Sequence, residues 1–428
     1  MSIEVTYKNC PDCNHRYPSY AGYKDWCDAC GWNIAPDKQN RTETGYAPIY
    51  NTIVEKFSKQ YSTSLFHTVC SATDIRPRRT IFSFLSSLVG VSALVLWISM
   101  IALSVWLLLM YPNLFAIAGA LLCGLIAWYL RPEVAPMPKR TLQRTTVPTL
   151  FNVIEGICTE LNAPMPDYVV LSTEFNASMG YAGIKRKRVL TLGYPLLLTL
   201  SAAECVALIA HEIAHDVNGD PARGFWQHFG TVMFEKWFVL TYPFEIMSSD
   251  DVGLYTKLIS IPFNLLSWCV SQLFLGCSYM LSWLMWRESQ RCEYYADLLA
   301  YTVAGNKNAL SMFDKLAYYP YFAAAQQAAV LAPKGGKGMF ERYADMIREL
   351  PSREIERIHR VNMLDSARID SSHPPTPYRI AFIESRGILS GRYSLTDHKF
   401  QTLLNELRNY QPEVEELLID EYRAAIHW

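Results

Sequence analysis

The longest apolar stretch of the chain covers residues 80–130, which carry no charged side chain. A transmembrane helix needs about 20 predominantly apolar residues, so this stretch is long enough for two crossings of a bilayer. Tyr111-Pro112-Asn113 divides it into pieces of about 30 and 17 residues, and a proline there favours a turn between two helices. The pattern therefore predicts a transmembrane hairpin.

Basic side chains cluster on both sides of this stretch, and the positive-inside rule places such flanks in the cytoplasm. Both ends of the hairpin are therefore predicted to be cytoplasmic. The residues concerned are Arg76, Arg78 and Arg79 before the stretch and Arg131, Lys139, Arg140 and Arg144 after it.

A second apolar region is less uniform. Residues 225–244 are rich in Phe and Trp but contain Glu235-Lys236, whereas residues 258–286 carry no charged side chain. A charge at the centre of a span costs about 2.5 to 3.5 kcal/mol on insertion scales, and less where it faces protein or water. Hydrophobicity alone leaves open whether both pieces of this region cross the membrane.

Between the two apolar regions lies a strong helix signal. Ser201-Ala-Ala-Glu204 has the form of a capping box, in which both side chains satisfy free amides at a helix N-terminus. Good helix formers follow, and Asn218-Gly219 with Asp220-Pro221 favour an end to the helix. The sequence therefore predicts a helix over residues 201–218.

This helix carries His211-Glu212-Ile-Ala-His215. Two histidines four residues apart lie near one helix face and can bind the same zinc ion. Glu212 is rotated away from His211, so it lies beside the metal, where it can act as the base of a hydrolysis. A catalytic zinc site normally has three protein ligands and one open position, so a third ligand is required.

The search for that ligand leads outside the helix. The compact His-x-x-Gly-x-x-His continuation fails, because Asn218 and Pro221 stand at its Gly and His positions. Glu235 lies in an apolar stretch without an acidic partner one turn later. Glu293 is the better candidate, since Asp297 falls one helical turn after it and can orient a ligand or a nearby histidine.

Composition narrows the class of protein. Lys plus Arg (39) nearly balances Asp plus Glu (40), which provides no basic field for nucleic acid. Half of the residues are apolar and only 18% are charged, a shift towards a membrane protein. The N-terminus lacks the basic and then apolar pattern of a secretory signal, so the first segment is predicted to be cytoplasmic, with reduced thiols.

Two Cys-x-x-Cys pairs lie in this first segment, Cys10 with Cys13 and Cys27 with Cys30. Four thiolates at such a spacing can surround one structural zinc ion, which predicts a zinc ribbon. A redox pair or two disulfides remain alternatives, although a reducing cytoplasm disfavours both.

Further motifs occur along the chain in a fixed order. They are Phe175-Asn176-Ala177-Ser178-Met179-Gly180, Leu192-Gly193 through Leu200-Ser201-Ala-Ala-Glu204, His211-Glu212-Ile-Ala-His215, Arg291-Cys-Glu293-Tyr-Tyr-Ala-Asp297 and Ser372-His373-Pro374-Pro375-Thr-Pro-Tyr-Arg379. Together they resemble the motifs of the HtpX-like membrane metallopeptidases, which are related to the CAAX prenyl proteases. The resemblance covers residues 75–385 and leaves the ribbon outside it.

The resemblance implies a mainly α, α+β chain, with multi-span membrane helices and a gluzincin-type metallopeptidase domain that contains a small sheet. It also favours a second pair of membrane helices. Because His211, His215 and Glu293 must meet at one zinc ion, the chain between them crosses the membrane an even number of times. The two pieces of residues 225–286 therefore both span or neither does. The resemblance favours two spans here, which gives four spans in all.

The resemblance also suggests roles for residues that pattern alone leaves as ordinary loop positions. His373 becomes a candidate donor to the developing oxyanion, and Arg379 a partner of an acidic neighbour or of its own loop. Asn176 and Ala177, which follow the strand-like Tyr168–Ser172, become candidate contacts for an extended substrate peptide added to a sheet edge.

The expected function is a zinc-dependent endopeptidase in the inner membrane, acting at the cytoplasmic face on misfolded or unassembled membrane proteins. A dedicated processing protease, including one for prenylated C-termini, and a nonenzymatic zinc-binding scaffold or sensor are the alternatives. The expected parts are a zinc ribbon (1–40), a linker or juxtamembrane segment (41–79), a transmembrane hairpin (80–130), two catalytic halves (140–224 and 287–390) around a second transmembrane pair (225–286), and a C-terminal helical segment (391–428).

Overall fold

The computed structural model describes residues 4–35, 47–77, 80–111, 113–219, 225–243, 254–331, 337–364 and 373–426. Several residues on which the sequence predictions drew lie outside these ranges. They are Arg78, Arg79, Pro112, Asp220, Pro221 and Ser372.

The described residues are mostly helical, with two small sheets, which confirms the predicted mainly α composition. The strands are β1 (Val5–Asn9), β2 (Arg16–Tyr20), β3 (Tyr168–Ser172), β4 (Ala177–Ala182) and β5 (Lys187–Gly193). The helices are α1 (Ala47–Ser71), α2 (Ile81–Met110), α3 (Leu114–Tyr129), α4 (Pro148–Leu161), α5 (Tyr194–Leu197), α6 (Ala202–Asn218), α7 (Phe225–Thr241), α8 (Leu254–Ala304), α9 (Asn306–Leu316), α10 (Tyr319–Leu331), α11 (Met339–Arg348), α12 (Ser352–Asn362), α13 (Thr376–Ser385), α14 (Asp397–Leu407) and α15 (Gln411–Ile426).

The N-terminal module is an antiparallel β1–β2 hairpin that docks on helix α12. Arg353 donates to the carbonyl oxygen of Trp26 at 2.6 Å, and Arg360 donates to that of Asp28 at 2.7 Å. Both guanidinium groups also lie over the Trp26 ring, whose side chain is buried. The module is therefore held against the rest of the protein by charge-assisted hydrogen bonds and cation–π contacts.

Helix α1 lies in the region predicted to be a linker, and it packs on α13. The Phe66 ring stacks on that of Tyr378, and the hydroxyl groups of Thr63 and Tyr378 are 2.8 Å apart. Tyr378 lies more than 300 residues after Thr63 and Phe66, so no local sequence pattern predicts this packing.

Helices α2, α3, α7 and α8 form a group of their own. Two helical segments, Ile81–Met110 in α2 and Ser260–Ala304 in α8, are long and apolar enough to cross a membrane, and α3 is a shorter apolar helix. A small core around Ala93, Met233 and Leu281 joins α2, α7 and α8, separately from the main core. Many large apolar side chains on the outside of this group remain exposed, as at a lipid-facing surface.

The main core is built around α6. The sheet has the order β3-β5-β4, with β3 and β5 parallel and β4 antiparallel to β5. Helices α4 and α9 pack on α6, and the C-terminal part of the long helix α8 runs beside it. This brings the second half of the predicted peptidase domain back onto the first, with the apolar helices α7 and α8 between them in the sequence.

Candidate metal centre and active site

Helix α6 begins and ends where the sequence predicts. The Ser201 amide donates to the Glu204 carboxylate at 2.7 Å, and the Glu204 amide donates to the Ser201 hydroxyl at 3.3 Å, which completes the capping box. At the other end Gly219 adopts a left-handed conformation with φ 69°, which suits a residue without a Cβ. Contacts within a few residues thus set both ends of the helix that carries the two histidines.

Three side-chain groups converge beside this helix. The Nε2 atoms of His211 and His215 are 3.3 Å apart. From α8, one oxygen of Glu293 lies 3.5 Å from His211 Nε2, and the other lies 3.6 Å from His215 Nε2. Ligand atoms about 2.1 Å from a zinc ion at tetrahedral angles are about 3.4 Å from one another, so these spacings fit a single zinc ion.

Behind these groups lies a buried ion pair. Arg379 from α13 donates two hydrogen bonds to Asp297, at 2.8 and 2.6 Å. The Asp297 Oδ1 atom that accepts from Arg379 also lies 3.1 Å from His211 Nδ1. Asp297 and Arg379 therefore lie together behind His211, whose Nε2 points into the centre. The orienting role of Asp297 remains a prediction.

The centre gathers buried carboxylates that suit a bound cation. The carboxylates of Glu212, Glu293 and Asp297 are all buried, and Arg379 is the buried guanidinium beside them. Burial opposes an imidazolium, but Asp297 and Glu293 outweigh it and raise the pKa of His211 to about 10. A divalent ion would balance the remaining negative charge without a proton on His211.

Glu212 follows His211 directly and is itself buried. Burial raises the pKa of its carboxyl group, while the neighbouring His211 and His215 act in the opposite direction. Its role as the base remains a prediction, which its position on the same helix turn as His211 supports.

His373 lies at the N-terminal approach to α13, with Nδ1 2.6 Å from the Glu293 carboxylate. Donor atoms of His373, His211 and Glu293 lie within 4.8 Å of one another. The structure thus brings His373 to the centre. Its predicted contact with an oxyanion remains a prediction, since here it contacts a carboxylate.

Asn176 and Ala177 lie at the start of β4, which is an outer strand of the sheet within the described residues. The carbonyl oxygen of Asn176 accepts a hydrogen bond from Gly193 at 2.8 Å, where a Cβ on Gly193 would collide with backbone. The Gly193 contact thus fixes the start of β4, and β4 packs on α6 beside the centre.

Two residues near the centre escaped the sequence analysis. Asp216 accepts a hydrogen bond from the Tyr181 hydroxyl at 2.9 Å and lies 3.0 Å from Arg188 Nε, so it joins α6 to β4 and β5. Asn218, which the sequence suggested only as a helix terminator, donates to the carbonyl oxygen of Cys292 at 3.2 Å. Asp216 directly follows His215 in the sequence, and this is the one signal that could have drawn attention to it.

The second candidate metal site is the ribbon. The sulfur atoms of Cys10 and Cys30 are 3.6 Å apart, as are those of Cys13 and Cys27, and all four lie within 4.8 Å of one another. Zinc–sulfur bonds of about 2.3 Å at tetrahedral angles separate sulfur atoms by about 3.8 Å, so the cluster fits zinc. The four sulfur atoms of the ribbon are free thiols in the structure.

The fold and this centre define a metallopeptidase, and comparison with known proteins specifies the family. The model of peptidase family M48 matches residues 145–387, and the chain belongs to that family. It is 26% identical over 314 residues to a protein named Protease HtpX homolog from Archaeoglobus fulgidus, covering 71% of this chain and 87% of the relative. A protein of the same name from Pyrobaculum calidifontis is 22% identical over 244 residues, covering 55% of this chain and 67% of the relative.

Proposed function

We propose that this protein is a membrane-embedded, zinc-dependent endopeptidase that cleaves misfolded or unassembled membrane proteins at the cytoplasmic face. The observation that carries the proposal is the spacing of 3.3 to 3.6 Å among the donor atoms of His211, His215 and Glu293, next to a buried carboxylate on the same helix. A purely structural zinc site would not need a buried carboxylate such as that of Glu212 beside a three-ligand centre.

In this proposal His211, His215 and Glu293 hold zinc, which supplies Lewis acidity when it is bound. Glu212 takes a proton from the attacking water and passes it to the departing amine of the cleaved peptide bond. The reaction is a peptide-bond hydrolysis without a covalent enzyme intermediate. Asp297, held by Arg379, keeps the ring of His211 in the orientation that binding requires.

His373 is proposed to donate to the oxygen that becomes negative during the reaction. Its Nδ1 is already held by Glu293, which orients the ring at the rim of the centre. Its side chain is about half exposed, so a substrate can reach it from outside.

Asn176 and Ala177 are proposed to contact the substrate as it pairs with β4. An outer strand offers backbone donors and acceptors to an extended peptide whatever its sequence, which suits a protease of many substrates. The hydrogen bond from Tyr181 to Asp216 would hold this strand against the helix that carries the histidines.

We further propose four membrane crossings, by α2, α3, α7 and α8, with the ribbon and the peptidase domain in the cytoplasm. The charges within α7 support this, because each has a partner in a neighbouring helix or segment. Ser278 donates to Glu235 at 3.4 Å, and Lys236 pairs with Glu133 and donates to the carbonyl oxygen of Tyr129 at 3.3 Å. Such partners lower the cost of placing charges near a bilayer.

The ribbon is proposed to hold a second, structural zinc ion through Cys10, Cys13, Cys27 and Cys30. Burial opposes a thiolate at Cys27, but hydrogen bonds from the backbone of Cys30 and Ala29 lower the pKa of that thiol to about 7. This helps to supply the charged sulfur that a metal needs.

The test of function is a substrate trap. The full chain with Glu212→Gln is expressed in membranes, and intact proteins that accumulate on it but not on the wild type are identified. Many unrelated membrane proteins are expected. A single partner would instead indicate a dedicated processing protease, and no captured protein would count against both enzymatic functions.

A further inference from the structure

The tip of the β4–β5 hairpin combines one exposed apolar side chain with a run of cations. Ile184 is 90% exposed, and it is followed directly by Lys185, Arg186, Lys187 and Arg188. These four cations line a shallow surface depression together with Asp167 and Tyr181. No part of the proposed hydrolysis uses this tip.

The tip is fastened to the segment that leaves the apolar helix α3. The Gly183 amide donates to the carbonyl oxygen of Ala135 at 2.8 Å, and the Met137 side chain packs closely on Gly183. Ala135 lies six residues beyond Tyr129, the last residue of α3, and six extended residues span at most about 20 Å. The tip therefore stays close to the end of α3.

That end of α3 has the residues of a membrane–water boundary. Trp128 is largely exposed, and the guanidinium of Arg131 lies over its ring, 4.5 Å from the centroid. Aromatic and basic side chains concentrate at this level of membrane proteins. If α3 spans the bilayer, the hairpin tip lies at the surface of the cytoplasmic leaflet.

Two of the four cations of the tip lie beside carboxylates. Lys187 pairs with Asp167 at 2.7 Å, and Arg188 lies 3.0 Å from Asp216. The Arg186 guanidinium lies over the Tyr181 ring. Together with Asp167 and Asp216, the four cations give this part of the surface a net positive charge, which suits an anionic surface.

We propose that this hairpin tip docks on the membrane surface, with Ile184 in the headgroup region and the basic side chains on anionic lipid headgroups. Basic residues near an anionic leaflet attract its lipids, and an exposed apolar side chain adds burial. Docking would orient β4, which leads from the sheet into the tip, towards substrates that leave the bilayer. This last consequence rests on the proposed function of β4 as the substrate strand.

The test measures amide hydrogen exchange of residues 181–188 in the full chain, in nanodiscs of phosphatidylcholine with and without phosphatidylglycerol. We expect exchange about fivefold slower in the anionic discs, with the difference lost at high salt because screening weakens attraction to the headgroups. The variant Lys185→Glu/Arg186→Glu should lose the effect. The matched control Lys307→Glu/Lys399→Glu, which reverses two exposed lysines outside the hairpin, should retain it.

Equal exchange in the two lipids at low salt, or loss of the effect in the control variant, would overturn the proposal. Slower exchange that appears only on addition of a polypeptide substrate would also overturn it, because the partner would then be protein. The measurement is repeated with Glu212→Gln, in which no cleavage occurs. The lipid effect on hydrogen exchange and the cleavage activity are thus measured separately. Failure of the docking proposal can therefore be distinguished from failure of the proposed peptidase activity.

Discussion

The protein contains two candidate zinc sites that differ in how the chain builds them. In the ribbon, both cysteine pairs use the same turn: the Cys10 carbonyl accepts from Asn14 and the Cys27 carbonyl accepts from Gly31, each at 2.9 Å. Asn14 and Gly31 both have positive φ. All four thiols therefore lie within a short segment of the chain, and the turn of each cysteine pair fixes their positions.

The centre beside α6 is assembled from distant parts of the chain. His211 and His215 come from α6, Glu293 from α8 and Arg379 from α13. The Asp297–Arg379 ion pair lies behind its proposed ligands, whereas in the ribbon backbone amides donate hydrogen bonds to a cysteine sulfur. In the proposed arrangement four thiolates would close the ribbon site, whereas three ligands with a neighbouring carboxylate would leave the other site open for chemistry. That difference would separate a structural metal from a catalytic one.

The largest expected effect comes from removing a proposed ligand of the centre beside α6. Glu293→Gln should reduce the zinc content from two ions per chain to one and lower peptide hydrolysis by at least about 10³-fold, because zinc and base act together. Metal analysis and a cleavage assay on the purified chain check this. Cys30→Ser should also remove one zinc ion while substantial cleavage remains, and equal loss of cleavage in both variants would erase the proposed difference between the sites.

A smaller effect is expected behind the ligands. Asp297→Asn should weaken binding of the catalytic zinc about 10- to 100-fold, because the amide orients His211 less well and cannot balance Arg379. Competition with a chelator measures this. Asp314→Asn is the matched control, since Asp314 also lies 3.1 Å from a histidine, His359, which is not among the proposed ligands. The same weakening in both variants would contradict the role of Asp297.

The ribbon should be separable from the peptidase domain. Arg353→Ala/Arg360→Ala removes the groups that hold Trp26 and Asp28, and should lower the local stability of the docked ribbon by about 2 kcal/mol. Hydrogen exchange of the ribbon and α12 reports this, while both zinc ions should stay bound. Arg342→Ala is the control, because it removes a local hydrogen bond from Arg342 on α11 to the carbonyl oxygen of Lys337, which precedes that helix. Loss of the catalytic zinc in the double variant would show that the two sites depend on each other.

The smallest effect concerns the helix that carries the histidines. Ser201→Ala removes one half of the capping box and should destabilise the protein by about 1 kcal/mol. Thermal unfolding of the purified chain would show a small decrease in midpoint at unchanged zinc content. An unchanged midpoint would mean that tertiary packing alone fixes the start of α6.

The comparison of the two sites also explains what the sequence could predict. The boundaries of α6 and the turns of the ribbon depend on contacts within a few residues, such as Ser201 with Glu204. Local sequence patterns therefore predicted these features. Glu293 was reached only by asking for a third ligand and for an acidic partner one turn later. That reasoning used helix periodicity rather than any contact between distant segments.

Other features depend on such distant contacts and escaped prediction. Helix α1 was taken for a linker, although Thr63 and Phe66 pack on Tyr378. Asp216 is an ordinary acidic residue in the sequence and gains its role only when β4 and β5 lie against α6. The docking of the ribbon on α12 likewise joins residues more than 320 positions apart.

The central claim is that Glu212 serves as the base of a zinc-dependent hydrolysis. The most direct measurement is the cleavage rate of an unfolded membrane-protein substrate by the purified full chain and by its Glu212→Gln variant, each with its zinc content determined. We predict two zinc ions per chain in both proteins and cleavage by the wild type alone. A Glu212→Gln variant that retains its zinc and cleaves at the wild-type rate would contradict the account.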